Sequence, residues 1–575
     1  MQPYLQTYRH IYCTRVCIAR LCKPVYTDFY HRFLFRARCF PNLSTLSLSL
    51  FNDSCVCCLV ARRFPVIAEI LSLIESIKRK KKRNQKHLPY SPAPSAGRHI
   101  RTLTNTIESR SDESEDELPN NARRRFVRDT TRLKENDINY IIKQASGIGH
   151  SSDQQNVSIT PMIERRVLRP DGFSTNEKCR LRNSLLPNKP CTIQNYDTKV
   201  FCGLYSKDGR FFITATQDKQ LHVYRAHGDR FDLYKEIQAR DVGWSILDIA
   251  FSPDGRYIAY SSWSESLYQC PLFGRRNDAL EKLQLRPTER RFTVFSIAFS
   301  HDGKEIIGGA NDECLYIYDR ELHRQVLRFR GHDKDVNTIA FADNTSQIFY
   351  TGSDDGLCKI WDRRTINETN PCAVGVLAGH SNGITYIDSR GDQRYLISNS
   401  KDQSIKLWDV RKCSSHRTEQ IARQFVDRQD WDYRWQRMPE TIREPQILDG
   451  DTSVMTYYGH CIRKTLIRCR FSSEITTGQR YICTGDSRGR LIIYDLLTGK
   501  IVLNVRGHRG CVRDVSWHPY NHIILTSSWD GKVAKWIYRD DMSGNMDQEE
   551  EELVITNPPT LLRRSERIAG QRRAC

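Results

Sequence analysis

Gly-His pairs stand at 331–332, 379–380, 459–460 and 507–508, at intervals of 48, 80 and 48 residues. Two equal intervals and one long one describe a repeat that carries one insertion. A unit this short cannot bury its hydrophobic face alone, so neighbouring copies must stack. After each pair come short alternating apolar strands, a polar turn and an aromatic ending: Ile360-Trp361-Asp362, Leu407-Trp408-Asp409, Ile493-Tyr494-Asp495 and Lys535-Trp536-Ile537. Three degenerate copies without the pair lie upstream. They run over Val200–Ala226, Trp244–Cys270 and Phe295–Arg320, around the turns Lys207-Asp208-Gly209, Pro253-Asp254-Gly255 and His301-Asp302-Gly303.

Four clear and three degenerate copies predict an all-β, seven-bladed WD-repeat β-propeller over 193–538, closed because closure protects the sheet edges. Resemblance to WD repeats implies a buried hydrogen-bonded tetrad in each regular blade. The sets that fit are His332, Ser353, Asp355 and Trp361; His380, Ser400, Asp402 and Trp408; and His508, Ser528, Asp530 and Trp536. A His beside an Asp invites a catalytic reading, but one set per blade favours structure. The blade after Gly459 departs from this pattern, with Asp486 at the Ser position and Arg488 at the turn. The fourth strand of the last blade could come from Ile163–Leu168 or from Leu553–Ile555.

The flanks have another character. Of 575 residues, 88 are Lys or Arg and 68 Asp or Glu, a formal charge of +20. Residues 1–100 hold seventeen of those cations and four of the acids, so the excess belongs mostly to a low-order basic leader, residues 1–120. The run Lys78–Arg83 reads as a solvated tract or a nuclear import signal. The Arg-rich first 52 residues fit an organelle transit peptide or a misassigned start. Seven of the twenty cysteines crowd this leader without zinc-ligand spacing, and the other thirteen are scattered as buried apolar side chains would be in a reducing compartment. Residues 121–192 form an extension in which Leu133, Ile138, Ile141, Ile142 and Ala145 predict one amphipathic helix over 131–145. Residues 539–575 read as a charged tail.

The insertion, 413–452, contains Trp431-Asp432-Tyr433-Arg434-Trp435. It should project from the edge between third and fourth strands, either packing on the propeller or meeting a partner. Two adjacent blades end in Trp361-Asp362-Arg363-Arg364 and Trp408-Asp409-Val410-Arg411. This tandem Asp-x-Arg resembles the signature with which WD-repeat receptors of cullin-4 ubiquitin ligases engage the damaged-DNA-binding adaptor. Asp362, Arg364, Asp409 and Arg411 are therefore the candidate adaptor contacts; the like string at Trp431–Arg434 lacks the preceding strand. Longer segments, among them Ala239-Arg-Asp-Val-Gly-Trp-Ser245, Arg394-Tyr-Leu-Ile-Ser-Asn-Ser-Lys-Asp402 and Cys511-Val-Arg-Asp-Val-Ser-Trp-His-Pro519, resemble the DDB1- and CUL4-associated factor 11 family, called LEC14B in plants. The likeness runs from about residue 160 to 540.

What the resemblance implies is substrate reception for degradation, without a catalytic residue or cofactor, in the nucleus and cytoplasm. Turnover of a stress-response bZIP factor is one partner it suggests. The rival reading is a nuclear chromatin or RNA-processing scaffold that holds nucleic acid through its leader. Phosphate loop, nucleophile-elbow and zinc-helix motifs are missing from the sequence, which counts against an enzyme. Turns between second and third strands should open opposite the arginines, where Gln217, Trp263, Asn311, Asp354, Lys401, Ser487 and Trp529 form the candidate substrate face. The helix at 131–145 is expected to dock into the adaptor, as a pre-propeller helix does in related receptors, or else to cap the propeller.

Overall fold

The computed structural model describes residues 129–148, 162–163, 166 and 172–540, apart from Asp229, 275–279, 287–290 and 444–445. The leader, its import signal, the alternative last strand at 553–555 and most of the tail lie outside the described residues, and of Ile163–Leu168 only Ile163 and Arg166 are described, both helical. Seven four-stranded antiparallel sheets form the blades of a propeller. The blades run over Val200–Gln238, Ile246–Gln284, Val294–Arg330, Val336–Ala378, Ile384–Tyr458, Cys469–Arg506 and Val512–Ile537. They are numbered one to seven here. The first strand of each blade lies innermost and packs on its neighbours around the ring.

Side chains on these inner strands clasp one blade to the next. Asp514 accepts the Gly203 N–H at 3.1 Å, Asp248 that of Ile297 at 2.9 Å, Thr338 that of Ile387 at 3.1 Å and Asp388 that of Phe471 at 2.8 Å. Six of the seven inner strands open with a register shift. The extra residue it creates is free to leave the ladder.

Ring closure differs from expectation. The outer strand of blade seven is Lys189–Asn195, paired antiparallel from Lys189 opposite Ile537 to Asn195 opposite Lys532. The propeller therefore begins at 189 rather than 193. This strand reads Lys-Pro-Cys-Thr-Ile-Gln-Asn and is mostly exposed, so an apolar periodicity could not reveal it.

The tetrads need one correction. His332 Nδ1 lies 2.8 Å from Asp355, but its Nε2 meets Thr351 Oγ1 at 2.7 Å, and the Trp361 indole N–H donates to the same hydroxyl at 2.9 Å. Ser398 and Thr526 fill that position in blades five and seven. Ser353, Ser400 and Ser528 sit two residues later on the same side of the strand, and each instead accepts the backbone N–H of its turn Asp. Burial alone would raise the Asp402 carboxyl, yet the His380 ring beside it holds it at about 2. Blade six, as its sequence implied, is built otherwise: His460 bonds Tyr494 and Asn399, each at 2.9 Å, while Asp486 pairs with Arg490. Thr351→Val, which strands two buried nitrogens, should cost about 1–3 kcal/mol in chemical unfolding, and Ser353→Ala less. Equal losses would refute the assignment.

Candidate partner-binding faces

Asp362 and Arg364 stand at the exit of the third strand of blade four. The Arg364 guanidinium makes a fork on its own Asp, with Nε 2.9 Å and Nη2 2.7 Å from the two carboxylate oxygens. These bonds hold the Asp362 carboxyl down at about 2, while the Arg364 side chain stays 67% exposed. The same fork recurs one blade on, where Arg411 reaches Asp409 at 3.2 and 3.1 Å. Two Asp-anchored, exposed guanidinium groups on adjacent blades suit bidentate recognition of carboxylates or carbonyls. Among the described residues, no group of three or more His, Cys, Asp or Glu could hold a metal ion.

The second fork is tied to the extension. The predicted single helix is two, α1 (Thr131–Glu135) and α2 (Asp137–Ala145), broken at Asn136, whose extended backbone lets its side chain cap α2 through the Ile138 N–H. Asn136 also donates to Asp409 at 3.1 Å and accepts from Tyr395 at 2.6 Å. Asp137 receives Arg394 at 2.6 Å and Arg411 at 3.3 Å. Leu133, Ile138 and Ile142 are buried against blades five and six. The apolar face of this pair is thus packed on blades five and six, beside Arg411, rather than presented at the surface.

The insertion does not project. From Cys413, α3 (His416–Asp427) climbs the rim of blade four, burying Thr418, Ala422 and Val426. At its end Asp427 pairs with Lys334 at 2.8 Å, and Val426 lies so close to Gly356 that a Cβ there would come within 2.7 Å. The chain has now crossed to the face opposite the arginines. There Tyr433 packs on Ile462, Ile467 and Cys511 and covers Lys401, whose ammonium lies 4.4 Å from the Tyr433 ring centroid.

This arrangement corrects the expected substrate face. Lys401 is buried in an ion pair with Asp354 at 2.7 Å, and Asp354 also binds Asn337. Asn311 is spent on the Thr293 N–H, while Gln217 and Ser487 are half-buried in their turns. Trp263 remains 40% exposed; Trp529 is half-buried against Phe201, with its indole N–H unpaired.

At the axis lies a cluster that residue spacing did not reveal. Arg468 donates to Asp248 at 2.6 Å and to Asp514 at 3.0 Å, linking blade six to blades two and seven across the ring. Arg513 donates to the carbonyls of Phe201 and Leu247. Both arginines are buried, and Tyr386 lies against the Arg468 guanidinium.

Fold and faces together define a WD-repeat β-propeller with one decorated rim. The family model "WD domain, G-beta repeat" matches residues 323–362, 372–409 and 499–536. LEC14B protein of Lithospermum erythrorhizon is 41% identical over 379 residues, covering 64% of this chain and 79% of its own length. The DDB1- and CUL4-associated factor 11 homolog of Caenorhabditis briggsae is 34% identical over 398 residues, covering 67% and 71%; that of Caenorhabditis elegans is 38% identical over 376, covering 64% and 65%. The chain belongs to the DDB1- and CUL4-associated factor 11 (LEC14B) family.

Proposed function

We propose that this chain is a substrate receptor of a cullin-4 RING ubiquitin ligase, bridging the DDB1 adaptor and a protein destined for degradation. The relatives' names indicate association with DDB1 and CUL4. The observation that carries the reading to particular residues is the pair of exposed, Asp-anchored arginines, Arg364 and Arg411, on neighbouring blades. In this reading they meet the adaptor, and the opposite face receives the substrate. The propeller positions its partners and leaves ubiquitin transfer to the recruited RING module.

Co-precipitation from cells tests it. Wild type should recover DDB1 and CUL4, and Arg364→Ala/Arg411→Ala should reduce recovery about tenfold or more while circular dichroism stays unchanged, as loss of two interface arginines predicts. Arg364→Ala alone is the cleaner probe, because Arg411 also touches Asp137 of α2. Recovery of no adaptor by wild type would overturn the reading in favour of a non-ligase scaffold.

A further inference from the structure

Three neighbouring blades treat the Asp that ends their third strand differently. In blade four Asp362 lies opposite Ile348, which follows the neutral Gln347, and its ion pair is with Arg364 at 2.7 Å. In blade six Asp495 lies opposite Tyr481, which follows Arg480, and its ion pair is with that Arg480 at 2.9 Å. Leu497 stands there where an Asp-x-Arg would place its arginine. Among the described residues, each of these carboxylates pairs with one cation. Blade five carries arginines at both positions. Its Asp409 lies opposite Tyr395, and it receives Arg394 at 3.3 Å as well as Arg411 at 3.2 and 3.1 Å.

Two guanidiniums on one buried carboxylate repel each other across it, so each is held less firmly than it would be alone. The extension supplies what is missing. Asp137 Oδ2 accepts Arg394 at 2.6 Å and Arg411 at 3.3 Å, and two cations then face two anions. Asn136 completes the set by donating to Asp409 at 3.1 Å and accepting from Tyr395 at 2.6 Å. The buried Leu133, Ile138 and Ile142 fix both residues to the ring. Arg411 meets the two carboxylates through Nε and Nη2, which leaves its Nη1 donors for a partner.

We propose that Asp137 is a positioning residue for adaptor binding: by taking up Arg394 it frees Asp409 to hold Arg411 in the fork that a partner meets. The inference rests on the receptor reading and adds to it a division of labour between the forks. Blade four needs no help, because Gln347 stands where blade five has Arg394. Blade five depends on a residue 274 positions away from Arg411 in the chain, so its fork is complete only when the extension has packed on the ring.

Biolayer interferometry of the full chain against purified DDB1 tests this. Asp137→Asn should weaken binding about threefold, the scale of an exposed ion pair, since the Asp137 side chain is 62% exposed. Asp137→Glu, which keeps the charge, should retain most of the affinity. A loss that acts through Arg411 vanishes without it: Asp137→Asn should cost nothing further in an Arg411→Ala background, and its full factor in an Arg364→Ala background. Arg394→Gln, which gives blade five the residue of blade four, should remove most of the dependence on Asp137. A general loosening of the extension would instead weaken binding equally in every background. Equal loss with and without Arg411, or tighter binding by Asp137→Asn, which would mean that Asp137 screens Arg411, overturns the inference. If Asp137→Asn binds like wild type while Arg364→Ala binds less, the inference alone falls. If wild type binds no DDB1, the receptor reading falls and the inference with it.

Discussion

Arg468→Ala is expected to destabilise the propeller by about 3–5 kcal/mol, because removing one partner of a buried charge network leaves the others uncompensated. Its guanidinium is 4% exposed and is shared between Asp248 and Asp514, which also accept the N–H groups of Ile297 and Gly203. The loss would therefore unsettle the clasps from blade two to three and from blade seven to one, as well as the link across the axis. Chemical unfolding followed by circular dichroism measures it. Replacing Asp248 and Asp514 with asparagine in the Arg468→Ala background should recover part of the stability, since no unpaired carboxylate is then left inside. A shift below about 1 kcal/mol for Arg468→Ala would mean that water enters the axis and screens the network.

Exchanging residues 189–195 for a seven-residue Gly/Ser segment should act on a comparable scale. The present strand pairs along Lys532–Ile537, with one bulge at Ile193, and places Pro190 opposite the buried Trp536. A flexible replacement lowers strand propensity along its length and bares an edge that invites pairing with another chain. The expected result is a melting temperature on the order of 10 °C lower, with concentration-dependent association on gel filtration. A peptide of residues 186–197 added in excess should restore both. An unchanged melting temperature would show that the ring holds without this strand.

Much of this architecture is legible in the sequence, because a propeller writes its repeat into the chain. The six-residue step from turn Asp to Trp locates Asp355 and Trp361, and their equivalents, at the two ends of one hydrogen-bonded chain through His332 and Thr351. The hydroxyl was misplaced by two because strand side chains alternate with period two, which puts Thr351 and Ser353 on one side of the same strand. Helical spacing picked out Leu133, Ile138 and Ile142, yet gave no hint that Asn136 would break the helix to reach Asp409. At the candidate site, the two Asp-x-Arg forks were legible because each lies within three residues. Burial of Lys401 was not, since its cover comes from Tyr433 in an insertion with no repeat to compare. Trp263 was picked out from its turn, but Trp244, in a connection earlier in the chain, was not, since only the fold sets the two rings edge to edge. Arg468 was hidden for the same reason, its partners Asp248 and Asp514 lying in two other blades.

The closing strand also imposes a timetable on synthesis. Asn188 donates to the carbonyl of Arg539, 351 residues further along the chain. At roughly 5–20 residues per second, a ribosome needs on the order of tens of seconds to make that partner. Throughout this interval the early blades exist as an open arc, with the 189–195 segment waiting unpaired near the start. Chaperones that shelter nascent chains should therefore hold this protein longest just before its last blade emerges, and a ribosome stalled in blade seven would release an unclosed, adhesive product.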